Sequence, residues 1–156
     1  MATQRAGQRP WLRSTARALS HAGEHAGAWI ALGSAAAVLD RRRSRRWVGA
    51  TTRVVAAHAA SVLLKRVVRR LRPTDPRVQV LVGTPSRWSF PSSHATSTTA
   101  AAVAFAEVLG TRAPLVVVPA MATSRALLGV HYPSDVLAGV VLGAAAGLVP
   151  TSRRPR

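Results

Sequence analysis

Val136–Val149 reads VLAGVVLGAAAGLV, fourteen residues of Ala, Gly, Val and Leu with no charge and no aromatic ring. A soluble core of a domain this size usually carries more large side chains. Helices rich in Ala and Gly, which pack closely, are more at home in a bilayer. Four further apolar stretches lie upstream: Ala26–Leu39, Val48–Leu64, Thr96–Leu109 and Ala113–Val130. The shortest span only about 21 Å at 1.5 Å per residue, against roughly 30 Å of hydrocarbon. Each must therefore extend into its polar flanks or thin the bilayer, and hydropathy alone leaves a soluble helical bundle open. The pattern as a whole predicts an all-α fold: an integral membrane bundle of about five transmembrane helices.

At 156 residues the chain has the length of one domain. Residues 1–20 form a basic tail with Arg5, Arg9, Arg13 and Arg17 four apart, on one face of a potential interfacial helix. Residues 21–150 form the membrane domain, and residues 151–156 a second basic tail. The chain holds 22 Lys+Arg against 5 Asp+Glu, which points to nucleic acid, anionic headgroups or a phosphorylated substrate. Nucleic acid is set aside, because the aromatic rings such a binder interleaves with its cations are missing. With no Cys, disulfide and thiol chemistry are excluded. The heavy use of Ala and Arg suggests a GC-rich genome with few Lys codons. Lys65 is the sole Lys in the chain, so either it is chance or it sits where a guanidinium will not serve.

If the five stretches cross in alternation, the end of the second, the start of the third, the end of the fourth and the start of the fifth share one rim. That rim collects Lys65–Arg72, Pro91–His94, Ser124–Arg125 and His131–Asp135. Polar groups converging over an apolar bundle are what a site looks like. Lys65, Arg72 and Arg125 are cations able to hold a phosphoryl group. Ser92 or Ser93 is placed to cap a helix whose free N–H groups attract an anion, with His94 in its first turn. His131 and Asp135, four apart and so one helical turn, or close to it if Pro133 bends the chain, suit a nucleophilic imidazole oriented by a carboxylate. The long segment Arg72–Pro91, with four prolines, is expected to be an ordered functional loop.

Three motifs then resemble those of the type 2 phosphatidic acid phosphatase family: Lys65 with Arg72-Pro73, Pro91-Ser92-Ser93-His94, and Ser124-Arg125 with His131 and Asp135. They occur in the family's order, with Ser93 standing where the family usually has Gly. The resemblance implies a metal-free, cofactor-free phosphoric monoester hydrolase acting on a lipid-linked phosphate in the cell membrane. It implies that His131 attacks phosphorus, Asp135 orients it, and His94 protonates the leaving oxygen. It assigns phosphate binding to Lys65, Arg72, Ser92, Ser93 and Arg125. In composition and size the chain looks like small actinobacterial members acting on polyprenyl-linked sugars. Polyprenyl-diphosphate and phosphatidylglycerophosphate hydrolysis are the alternatives, and the similar motifs of vanadate-dependent haloperoxidases, which are larger and soluble, a distant one.

Other signals are weaker. His21-Ala22-Gly23-Glu24-His25 matches a zinc-peptidase pattern but lacks a further carboxylate ligand and has Gly23 mid-helix. His58 suits bundle packing, and Arg53 an ion pair with Asp40 or Glu107 or a reach to the headgroups. The RRRSRR run at Arg41–Arg46 is expected to be a charged turn that fixes topology or meets lipid. Basic residues divide evenly between the two rims once Lys65 and Arg72 are set aside, so charge does not choose the site's side.

Overall fold

Glycine decides how closely the helices of this bundle approach. The computed structural model describes residues 26–74, 83–84 and 86–150. Five α-helices follow in chain order: α1 (Gly27–Leu39), α2 (Ser44–Val68), α3 (Ser93–Leu109), α4 (Val117–Leu127) and α5 (Pro133–Gly147). The expected interfacial helix, the His21–His25 pattern and the C-terminal tail lie outside the described residues.

Each helix boundary has a local cause. Ser92 is the N-cap of α3, its hydroxyl accepting from Ala95 N at 3.5 Å, and Gly110 closes that helix at φ 69°. Pro133 starts α5 at a position whose N–H would be unsatisfied anyway. Helix α2 runs past the expected Leu64 to Val68, and ends on Arg69 in the left-handed region. Two expectations need correction. The charged turn is only Arg41–Arg43, because Ser44–Arg46 already belong to α2. The apolar run Ala113–Val130 is not one helix: Pro114 lies in a 3₁₀ turn, Ala113–Val116, and α4 ends at Leu127, before Gly129 at φ 68°. Among the described residues only α2 is long and apolar enough by itself to cross a bilayer.

Helix α3 is the central post. Thr96, Ser97, Thr98 and Thr99 are all buried on it. Thr96 and Ser97 donate back to the carbonyls of Ser92 and Ser93 at 3.0 Å, and Thr98 accepts from Trp29 Nε1 at 3.1 Å. Most of these hydroxyls thus have partners without water. Helix α5 lies along α3 through Gly139, Gly143 and Gly147. A Cβ at Gly139 would meet Ser92 O at 2.6 Å, one at Gly143 would strike Thr96 O and Thr99 Cβ, and one at Gly147 would meet Val103 Cβ at 2.8 Å. This stripe of small residues lets two backbones touch, which is how membrane helices gain packing. At the far rim Trp47 packs edge-on against Phe105, with centroids 5.2 Å apart.

That far rim is closed by arginines on helix C-termini. Arg53, buried in α2, takes the second of its expected options: it pairs with Glu107 Oε2 at 2.6 Å and donates to Gly147 O at 2.6 Å. Arg46 donates to Glu107 O at 2.8 Å. These cations meet the negative ends of α3 and α5. Their positive ends are thereby left to face the opposite rim.

The glycine contact gives a test. Gly143→Ala should gain up to about 1 kcal/mol of helix propensity, yet lose more to overpacking against α3 backbone, for a net cost of about 1–3 kcal/mol. We expect a lower thermal midpoint in detergent. Ala145→Val, on the exposed side of α5, should stay within about 0.5 kcal/mol of wild type.

Candidate active site

The C-terminal ends of α2 and α4 and the N-terminal ends of α3 and α5 meet at one rim, as the alternation of apolar stretches implies. All eight residues singled out from the sequence lie on the segments gathered there. Of the two arrangements that their spacing allows, His131 and Asp135 take the one broken at Pro133, where α5 begins. They are joined by the turn that caps α5: Asp135 Oδ2 accepts from Tyr132 N at 2.9 Å and lies 3.6 Å from His131 Nδ1. That separation is slightly beyond hydrogen-bond length. Asp135 has no exposed surface, and His131 is almost as deep.

The other ring nitrogen of His131, Nε2, stands 3.5 Å from Arg72 Nη1. Arg72 is braced by donating to Val130 O at 2.7 Å and to Ser86 O at 2.9 Å. Burial drives the His131 imidazole down from its ordinary range to about 4. Asp135 opposes that shift, while Arg72 and Lys65 add to it. The ring is therefore neutral at pH 7, and its Nε2 lone pair faces the arginine rather than a proton.

Arg125 is 2% exposed, and its Nε and Nη2 have no hydrogen-bond partner within the described structure. Two buried donors on one guanidinium are costly to leave unmade, and they suit an incoming oxyanion. Ser124 is buried beside it, its hydroxyl donating to Met121 O at 2.9 Å. Lys65 is placed differently from a free phosphate ligand. Its ammonium donates to Pro91 O at 2.5 Å and Ser89 O at 3.1 Å, with Trp88 O at 3.4 Å. It holds the chain entering α3.

Ser92 N donates to Asp135 O at 2.9 Å, tying the start of α3 to the start of α5. Ser93 Oγ lies 2.9 Å from Ser61 Oγ, which is itself 2.7 Å from His58 O. A hydroxyl has one proton, so Ser61 donates to the carbonyl and receives from Ser93. The extra side chain at Ser93 is thus taken up by α2. His94 is the second residue of α3, in the first turn over the helix's free N–H groups.

Sequence reasoning missed two contributors. Arg70 donates to Asp135 Oδ1 at 3.1 Å and Ser134 Oγ at 2.8 Å. Ser89, fully buried, has its hydroxyl 3.1 and 3.2 Å from the carbonyls of Leu71 and Arg70 and is also a hydrogen-bond partner of the Asp135 carboxylate, joining the two ends of the loop. Arg70 is one of several cations in a basic run, and Ser89 has no motif; only the fold sets them apart. No group of three or more His, Asp or Glu side chains among the described residues is placed to hold a metal ion.

The chain matches the PAP2 superfamily over residues 46–155. It is 55% identical over 131 residues to the decaprenylphosphoryl-5-phosphoribose phosphatase of Mycolicibacterium smegmatis, covering 84% of this chain and 73% of that protein. It is 53% identical over 144 residues to that of Mycobacterium tuberculosis, covering 92% and 81%. Its backbone superposes on the crystal structure of a transmembrane PAP2-type phosphatidylglycerolphosphate phosphatase from Bacillus subtilis with a TM-score of 0.76 at 23% identity, covering 95% of this chain and 80% of that one, a likeness of fold. With a family match over most of its length and the three motifs drawn to one rim of a helical bundle, the chain belongs to the PAP2 superfamily of phosphatases.

Proposed function

We propose that the chain is a multi-pass membrane phosphatase that removes the 5-phosphate of decaprenylphosphoryl-5-phosphoribose, giving decaprenylphosphoryl-ribose for cell-wall arabinan. The observation that carries this reading is identity of 53–55% over 84–92% of the chain to two phosphatases named for that lipid. The site geometry supports the chemistry independently. Neutral His131 Nε2 attacks phosphorus in line, a P–N bond forms, and the ester P–O bond breaks. His94 gives its proton to the leaving oxygen, then draws one from the water that cleaves the phospho-histidine. Asp135 holds Nδ1–H and stabilises the cationic ring as it forms. Arg72, Arg125, the Ser92 hydroxyl, the Ser93 backbone N–H and the other first N–H groups of α3 take the phosphate oxygens, with Lys65 adding its charge from below. The decaprenyl chain lies along the exposed apolar flanks of the bundle, in the bilayer.

Phosphate release from the purified enzyme tests the substrate. Offered the phosphoribose lipid, a polyprenyl diphosphate and phosphatidylglycerophosphate, it should favour the first by about tenfold or more in kcat/KM, or roughly 1.4 kcal/mol. Equal rates would sink that assignment. His131→Ala should abolish release from all three, and near-wild-type turnover would overturn the mechanism.

Lys65→Arg should cost roughly tenfold or more in kcat, about 1.4 kcal/mol, because a planar fork cannot address three carbonyls at once. The expected acid limb follows from the buried imidazole. Only neutral His131 attacks, and in the free enzyme it stays neutral down to about pH 4. After correction for the substrate's own ionisation, kcat/KM, which reports the free enzyme, should show no acid limb above about pH 5 and should fall only towards 4. An acid limb near 6.5, the ordinary histidine value, would contradict that burial.

A further inference from the structure

We propose that Arg70, which lies outside the three motifs, is a positioning residue for catalysis: its guanidinium holds the buried Asp135 carboxylate with one oxygen turned toward His131. The proposal rests on the reading of His131 as nucleophile. Arg70 Nη1 donates to Asp135 Oδ1 at 3.1 Å, while Oδ2 accepts from Tyr132 N at 2.9 Å and faces His131 Nδ1 at 3.6 Å. Tyr132 N and Arg70 hold different oxygens, and the Ser89 hydroxyl is a further partner of the carboxylate. Arg70 is the one charged group that hydrogen-bonds it among the described contacts, and removing Arg70 loosens its hold on the orientation.

Arg70 is itself fixed from three sides. Its Nη1 also donates to Ser134 Oγ at 2.8 Å, and its guanidinium carbon stacks 4.1 Å above the centre of the Tyr132 ring. Its backbone carbonyl accepts from Ser89 N at 2.8 Å, where Leu71 and Trp88 form a short antiparallel bridge. A planar head wedged between an aromatic face, a hydroxyl and a carboxylate is a rigid brace. It links the end of α2, the strap leading to Pro91 and the capping turn of α5, the last two of which carry residues of the site.

The charge around His131 gives the brace a consequence that mere packing would lack. Asp135 faces the ring from α5, Arg72 from the segment after α2, and Lys65 from α2, with Arg125 of α4 beside Arg72. The carboxylate favours a proton on His131 and the cations oppose it. Arg70 draws off part of the carboxylate's charge. Without it, His131 would hold a proton more tightly, and since only the neutral ring attacks, the acid limb of kcat/KM would move to higher pH.

Full-length wild type, Arg70→Gln, Arg70→Lys, Asp135→Asn, His131→Ala and the Arg70→Gln/Asp135→Asn double variant would be compared in detergent, on whichever of the three lipids the wild type hydrolyses fastest. We expect Arg70→Gln to lower kcat by about tenfold or more, with KM within about threefold, since the interaction acts on the transition state. Its acid limb should rise by roughly half a pH unit or more, and Arg70→Lys should recover about a third or more of kcat. Because Arg70 acts through Asp135, the double variant should be within about twofold of Asp135→Asn alone. Wild-type behaviour of Arg70→Gln, a rise in KM with kcat kept, an unmoved acid limb, or additive losses in the double variant would each overturn the proposal. If Arg70→Gln does not fold, Arg70→Lys and the double variant, which buries no unpaired charge, decide the matter. An active His131→Ala would overturn the nucleophile reading as well; an inactive one beside additive Arg70 losses would overturn the role of Arg70 alone.

Discussion

Asp135 brings a carboxylate with no exposed surface to the junction of two helix N-termini, and the surrounding chain is arranged to satisfy it. An ionised carboxylate taken out of water costs several kcal/mol unless it is paired and hydrogen-bonded. Tyr132 N, Arg70 and the Ser89 hydroxyl supply bonds to its oxygens, and its own carbonyl accepts from Ser92 N, the cap of α3. The relative placement of α3, α5 and the segment after α2 follows from that one residue. The glycines of α5 carry the alignment down the bundle, since the contact at Ser92 is made only if Gly139 can lie against it.

A second tension sits above the first. Lys65, Arg72 and Arg125 are held together in a partly dry space, and Arg125 carries two buried nitrogens without a hydrogen-bond partner. Each such donor costs about 1–3 kcal/mol when left unmade. The far rim spends Arg46 and Arg53 on the carbonyl ends of α3 and α5, which secures the bundle and leaves the near rim free to stay electrostatically unsatisfied. On the function proposed above, a phosphate dianion would relieve that tension, and more so as charge builds on its oxygens. Such a site is organised before the substrate arrives.

Much of this was readable in the residues. The start of α3 was marked by Ser92, and the alternation of apolar runs was enough to draw all three motifs to one rim. What the sequence hid has physical reasons. Ala113–Val130 carries no charge before Arg125, so composition could not show that Pro114 and Gly129 confine the α-helix to Val117–Leu127. The spacing of His131 and Asp135 allowed either a helical turn or a bend at Pro133, and it did not show that the chain makes a capping turn there. Arg70 looked like one more cation among Arg66, Arg69 and Arg72. Its role depends on long-range contacts with Ser134 and Asp135, and no local pattern encodes a contact across more than sixty positions.

Lys65 shows how a compositional signal and a geometry can explain each other. In a chain that writes nearly every cation as Arg, one Lys invites a stereochemical reason. The reason is a cage of backbone carbonyls from Trp88, Ser89 and Pro91 around a single nitrogen. An ammonium has three donors on one atom, whereas a guanidinium spreads its donors over a plane and would need the carbonyls further apart. The carbonyls belong to the strap that delivers Ser92 and His94 to the site. Lys65 therefore fixes where α3 begins as well as adding charge. The first motif thus acts on the second through the backbone, just as the second is tied to the third through Ser92 N and Asp135 O. Motifs far apart in sequence are mechanically one object, which is why their order and spacing travel together.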